Sequence, residues 1–120
     1  MPKQSRPDVD LPWFETVPAA ITVCDKRYAI LYMNARSAEV NKEAGGKSLI
    51  GENLLDCHNP ESQRKLREIM ATGKPNVYTV EKKGVKKMVY QCPWRKNGKL
   101  AGLVEIYFVL PRNLPNRVRT

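Results

Sequence analysis

Two blocks of this chain alternate apolar and polar residues with a period of two, and a stretch with a helical period separates them. In the first block, AITVCD (20–25) and YAILYMN (28–34) are rich in β-branched and aromatic residues, which suit a pleated surface. Lys26 and Arg27 between them suit a hairpin. In the second block, NVYTVEK (76–82) turns at Gly84 into VKKMVYQCPW (85–94). Asn97-Gly98, the strongest hairpin signal in the chain, then leads into LAGLVEIYFVL (100–110). In that last strand Val104, Ile106, Phe108 and Leu110 share one face, and Leu103, Glu105, Tyr107 and Val109 the other. Both faces are largely apolar, so the strand is expected at the centre of a sheet and covered on both sides.

Between the blocks, Asn34 caps a short helix through Val40, which Gly45-Gly46 stops. A firmer helix follows the apolar pair Leu54-Leu55: Asn59 is a good N-cap, Pro60 takes the first helical position, and Leu66, Ile69 and Met70 are spaced i, i+3, i+4. Thr72-Gly73 and Pro75 end it. Ahead of the first strand, DLPWFE (10–15) reads as a helical turn capped by Asp10, with Pro12 in its first turn and Trp13 and Phe14 on an apolar side that must dock on this domain or on a second copy. The expected organisation is a flexible polar segment over 1–10, one domain over 11–110 opened by a flanking helix at 11–16, and a polar, proline-interrupted tail over 111–120. Strands joined as hairpins give an antiparallel sheet with the helices on one face, an α+β fold, and such a layer encloses a pocket between sheet and helices.

Size and composition narrow the class. A domain of 120 residues buries enough surface to fold without a disulfide or metal, and 42% apolar residues suit an ordinary core. No apolar run approaches the roughly 20 residues of a membrane span, and the N-terminus lacks a signal-like stretch, so a soluble, cytoplasmic protein is expected. Cys24, Cys57 and Cys92 are odd in number and widely spaced, without a CxxC, which argues against a disulfide scaffold and against structural zinc. The net charge of +9 raises the question of nucleic acid. Ten of its 21 lysines and arginines fall in three groups, at Lys82, Lys83, Lys86 and Lys87, at Arg95, Lys96 and Lys99, and at Arg112, Arg117 and Arg119. A nucleic-acid-binding protein is the alternative from a different class, and it requires the lysines around Gly84 and the group around Arg95 to form one patch.

The element order, with AITVCDKRYAILYMN, SLIGENLLDCHNPES and NGKLAGLVEIY in their places, resembles a PAS domain over residues 13 to about 110. The CH-x-P-x-S element is similar to a bacterial and archaeal subgroup with a CHPP.S-like motif, which makes a prokaryotic source the expectation. The resemblance implies a five-stranded antiparallel sheet in the order 2-1-5-4-3 with helices on one face. It also implies a sensory or protein-interaction module, often a homodimer through its N-terminal helix, with a small ligand held between sheet and helices. By that analogy Trp13 and Phe14 pack on the sheet or across a dimer. The ten residues from Pro111 onward leave no room for an output domain, so a stand-alone module is expected to signal to a separate protein partner.

Candidate chemistry centres on Cys57-His58, which holds the only histidine. Leu54 replaces the first cysteine of a C-x-x-C-H haem site. The same Leu54 stands where flavin photosensors of the PAS family carry the cysteine of G-x-N-C. A Cys57-His58 dyad is disfavoured because adjacent side chains do not normally face each other. Haem with His58 as axial ligand, and as the only metal ligand, is the remaining sharp reading of a cofactor otherwise left open. The plain reading is that both residues close the turn before the long helix. Glu105 either orients a polar ligand or pairs with a neighbouring lysine. Tyr78, Tyr90 and Trp94 read as core more readily than as a ligand cage. GGKS (45–48) resembles the end of a P-loop, but the first glycine would fall at Asn41. The tentative pocket is therefore His58, Cys57, Leu66, Met70, Tyr78, Tyr90 and Glu105, with Trp13 and Phe14 at a dimer contact. No catalytic residue is assigned, and a non-enzymatic sensor is expected.

Overall fold

The computed structural model describes residues 11–120. The expected flexible segment over 1–10 and the cap at Asp10 lie outside the described residues. Helix α1 is a single turn, Trp13–Thr16, and Pro12 stands just before it as the N-cap residue, without a side-chain cap. Strand β1 (Ala20–Asp25) and strand β2 (Ile30–Met33) form the first hairpin. Strands β3 (Asn76–Lys82), β4 (Val85–Lys96) and β5 (Lys99–Val109) form two more hairpins. All pairings are antiparallel, and the sheet order is β2-β1-β5-β4-β3. Both later turns are two-residue connections with positive φ at each position, 53° and 78° at Lys83-Gly84 and 53° and 77° at Asn97-Gly98. That conformation matches the twist of the flanking strands.

The helices connect β2 to β3. Helix α2 (Ala35–Val40) starts at Asn34, whose side chain accepts from the Ser37 amide, and runs through Val40 as expected, with Asn41 rather than the glycine pair at its C-terminal cap. Three short 3-10 turns follow, Lys42–Ala44, Gly46–Leu49 and Leu54–Cys57. Helix α3 (Pro60–Thr72) has the predicted cap at Asn59, proline in its first turn and a left-handed Gly73 at its end. Leu66 and Ile69 of α3 bury with Cys24, Ile30, Met33, Leu54, Leu55 and Leu103, with Met70 packed against them. This cluster defines the inner face of the sheet.

The register then assigns every strand residue to a face. Thr22, Glu105 and Gln91 lie side by side on β1, β5 and β4, facing inward; Val23, Val104 and Cys92 face outward. The inner face is covered as expected. The outer face is not: Val77, Tyr90 and Phe108 are 52%, 39% and 39% exposed, so β5 is covered on one side rather than on both. Gly102 sits where β5 passes closest to β1, and a Cβ there would collide with the Cys24 carbonyl oxygen. The two hairpin-flanking lysine and arginine groups lie at opposite ends of β4, with their facing members Lys87 and Arg95 about 26 Å apart along the strand. The single basic patch required for the nucleic-acid alternative therefore does not form.

Candidate functional site

Residues Gly51 to Leu54 run along β2. The Gly51 amide donates to the Ile30 carbonyl, Ile30 to Glu52, and Leu54 to Tyr28, at 2.8, 2.9 and 2.7 Å. The Asn53 side chain caps the following turn by accepting from the Leu55 amide. This docking turns Leu54–Cys57 under the sheet. The Gln63 amide group, from the second turn of α3, donates to the carbonyls of both Leu55 and His58 at 2.9 Å and fixes the joint to the helix. Local chain geometry thus presents His58 to the inner face and leaves Cys57 exposed.

The His58 ring spans two acceptors. Nδ1 lies 2.9 Å from the Leu54 carbonyl oxygen and Nε2 lies 3.2 Å from Glu105 Oε2. A carbonyl oxygen only accepts, so Nδ1 carries a proton. A second proton must lie between Nε2 and the carboxylate. The surroundings decide where it resides. Burial works against charge on His58, but the hydrogen bond and negative charge of Glu105, with the Leu54 carbonyl, outweigh it and raise the imidazole pKa above 6.5. Burial likewise disfavours the Glu105 carboxylate, yet His58 and the Gln91 amide hold its pKa below 4.5. The result is an imidazolium–carboxylate pair whose side chains are only 15% and 13% exposed.

A polar chain continues from it across the sheet. Gln91 Nε2 donates to Glu105 Oε2 at 2.6 Å, and Asn76 Nδ2 donates to Gln91 Oε1 at 2.9 Å. Thr22 and Ser37 hydroxyls bond each other nearby, within a 2.5 Å contact. Glu105 does not pair with a sheet lysine, as one reading of the sequence had it; His58 and Gln91 are its partners.

The pair borders a cavity of about 100 Å³ between sheet and helices, whose walls include Thr22, Met33, Leu54, Cys57, His58, Glu105 and Tyr107. On the other side His58 and Glu105 face an open cleft of about 260 Å³ with Tyr78, Val89 and Tyr107. Four of the predicted pocket residues, His58, Cys57, Tyr78 and Glu105, therefore lie around one point. Leu66 and Met70 instead belong to the packed core. Tyr90 lies on the opposite face of the sheet, across from Ile106. The cause is a bulge. The register set by the Asn97-Gly98 turn holds through Arg95↔Leu100, where Ala101 is skipped. Continued without that skip, it would place Tyr90 opposite Glu105; with it, Gln91 takes the position. Gln91, 2% exposed, is the site residue the sequence reading missed, together with Asn76.

The cysteines carry no activated thiol. Partial burial, followed by the charges of Asp56, Glu105 and Glu52, pushes the Cys57 pKa up, and burial pushes Cys24 up to about 11. Haem does not fit the residues present. Both His58 nitrogens are engaged, and a space of about 100 Å³ is well below the roughly 300 Å³ at which cofactor-sized pockets begin. Among the described residues, no group of three or more histidine, cysteine, aspartate or glutamate side chains is placed to hold a metal ion, and no helix is long and apolar enough to cross a membrane. Trp13 and Phe14 lie beside β2: Phe14 packs edge-on against Tyr32 with ring centres 5.5 Å apart, and Trp13 packs on Phe14 but is 67% exposed.

Comparison with known proteins agrees with this architecture. A family model described as the PAS fold matches residues 14–107. No curated protein sequence matches. Among solved structures, a VqmA–ligand–DNA complex from Vibrio cholerae superposes with a TM-score of 0.65 at 20% identity, covering 81% of this chain and 48% of that one. The Aer2 receptor of Vibrio cholerae, described as a dual PAS-haem oxygen sensor, gives 0.62 at 14% identity over 78% and 95% of the two chains. The PAS domain of Bordetella pertussis BvgS gives 0.62 at 17% identity over 84% and 83%. This chain spans about half the length of the VqmA chain, and identities this low speak to the fold alone.

Proposed function

The chain belongs to the PAS fold family, and from that membership we propose that it is a sensory module that binds a small polar ligand beside His58 and Glu105 and signals through protein contacts of its outer sheet face. The observation that carries this reading is the buried ion pair at the wall of an interior cavity. Burying two charges contributes little to stability compared with apolar residues of the same shape, so such a pair points to recognition or switching more than to support. The cavity volume corresponds to about three water molecules, which sets the ligand at roughly three to five heavy atoms. Glu105 favours ligands with N–H or O–H donors. VqmA has been crystallised as a ligand–DNA complex and Aer2 is described as a PAS-haem oxygen sensor, so small-molecule binding has precedent among proteins of this fold.

Signalling would proceed by a shift of the β4–β5 pair when the ligand competes for Glu105, transmitted to the exposed face around Tyr90 and Phe108. A homodimer through that face and Trp13, with a separate protein as receiver, is the assembly we favour. A non-catalytic role is in keeping with thiols whose pKa values are raised and with a histidine committed to an ion pair. The test is a thermal-shift and NMR titration with acetamide, ethylene glycol, methylguanidine and imidazole, on the wild type and on Glu105→Gln. The expected result is that at least one probe shifts the His58 and Gln91 resonances in the wild type and loses affinity in the variant. If none perturbs these residues at millimolar concentration, or the variant binds equally well, the ligand reading is wrong.

A further inference from the structure

The inner face does not end at the His58–Glu105 pair. Two residues further along β5, Tyr107 walls the small cavity on one side and a larger one on the other. The larger cavity, about 430 Å³, lies between α2 and the ends of β4 and β5. Its lining is Pro18, Ala20, Val40, Tyr107, Phe108 and Val109, with Arg36 and Lys87 at its margin. That volume falls within the range of pockets for small molecules. The lining is mostly apolar, and its only charged groups are the two cations. Lys87 Nζ stands 5.7 Å from the centre of the Tyr107 ring, and Lys87 has no ion-pair partner among the described residues. The Arg36 guanidinium meets only Glu39, at 3.4 Å on exposed surface, a contact that solvent screens heavily. Glu39 itself is not part of the lining.

We propose that this cavity is a second binding site, distinct from the His58 cavity, for an amphipathic carboxylate: an apolar body against Ala20, Val40 and Val109, with the carboxylate between Arg36 and Lys87. Guanidinium and ammonium groups make charge-assisted hydrogen bonds with a carboxylate, and an apolar body excludes the water that would screen them. A neutral molecule of the same shape gains only the apolar part. A free metabolite with a short acyl or aryl chain meets both requirements. Lys87 and Tyr107 also border the cleft beside His58 and Glu105, whereas Ala20, Arg36 and Val40 line this site and neither of the spaces beside His58.

Octanoate and octanamide share a body and differ in charge, so they separate the two contributions. The experiment is a calorimetric and NMR titration of both probes against the wild type and against the double variant Arg36→Gln/Lys87→Gln. Arg36 is exposed and Lys87 half-buried, and an unchanged thermal midpoint will confirm that the variant folds. Octanoate is expected to shift Tyr107 and Val109 while leaving the His58 ring signals in place, with affinity falling about tenfold for octanamide and about tenfold in the variant. Equal binding of the two probes, equal binding to variant and wild type, or no binding of octanoate at millimolar concentration each overturns the proposal. A shift confined to His58 and Glu105 also overturns it, since it places the ligand in the neighbouring cavity.

Discussion

The two faces of the sheet depart in opposite ways from the arrangement usual for an antiparallel layer with one solvated side: a polar row interrupts the apolar inner face, and apolar residues stand on the outer one. The face turned to the helices holds Thr22, Gln91 and Glu105 in a row, while the face turned to solvent shows Val77, Tyr90 and Phe108. An ordinary half-covered sheet places its apolar residues inside and its polar ones outside. Here the inner polar groups are fully paired: among the described residues, no buried side-chain nitrogen or oxygen lacks a hydrogen-bond partner. The outer apolar groups have only each other and water. A charged network kept inside where a hydrocarbon core would be at least as stable, and hydrocarbon left outside, are the features on which the proposed ligand site and the proposed contact surface rest.

If that contrast is right, deletions inside should be costly and deletions outside nearly free. The largest effect belongs to Asn34, which is fully buried at the junction of α1, β1 and α2. Its Oδ1 accepts from the amides of Ile21 and Ser37, and its Nδ2 donates to the carbonyls of Phe14 and Ala19. Asn34→Ala should cost about 4 kcal/mol in urea unfolding, because four backbone groups, two of them buried and two part-buried, lose their partner at once. Asn34→Asp keeps both acceptor contacts and should lose less. A loss below about 1 kcal/mol for the alanine variant would mean that water replaces the side chain and that the interior is less sealed than its geometry indicates.

The ion pair comes next. His58→Ala leaves the Glu105 carboxylate buried with Gln91 as its only donor and should cost about 3 kcal/mol. Replacing both residues, His58→Leu with Glu105→Leu, should recover most of that loss, since the pair is retained for something other than stability. A double variant as unstable as the single one would make the network structural and weaken the case for a ligand.

A smaller effect is its pH dependence. Because the folded pKa of His58 is raised, its contribution is fully present below the ordinary value of 6.5 and fades as pH rises through the higher folded value. Because that of Glu105 is lowered, its contribution is present above 4.5 and fades as pH falls through the lower folded value. The pair should therefore add most between about pH 4.5 and 6.5, and chemical denaturation should show stability declining on the alkaline side. In Glu105→Gln that alkaline decline should flatten. An unchanged slope would assign the proton to another group.

How much of this was readable beforehand follows from the range of each interaction. The strands β1 and β3, the caps at Asn34 and Asn59, and the Asn97-Gly98 turn are set by residues within a few positions of one another, and each stands where the sequence placed it. The family resemblance added the strand order, which hairpin signals alone do not determine. Site membership depends on register, and register on a skipped residue, Ala101, that has no local signature beyond the nearby glycine. That one skip exchanges Tyr90 for Gln91 beside Glu105. Cover on the two faces of β5 was equally hidden, because an apolar pattern is the same whether the neighbour is a helix of this chain or another molecule.

The outer face offers the smallest change in stability and the sharpest test of the contrast. Tyr90→Lys together with Phe108→Lys places two charges where the side chains are already 39% exposed, so the unfolding free energy should move by no more than about 0.5 kcal/mol. Association should respond far more. A stable dimer buries about 800 Å² on each partner, and two desolvated lysines near the centre of such a surface are hard to accommodate. Sedimentation velocity of the wild type should show a dimer, and the double variant should run as a folded monomer with the same far-ultraviolet circular dichroism. A dimer that survives both substitutions would move the interface elsewhere, with Trp13 the next residue to change. A variant that unfolds instead would show that the outer face is part of the core after all, and the contrast between the two faces would fail.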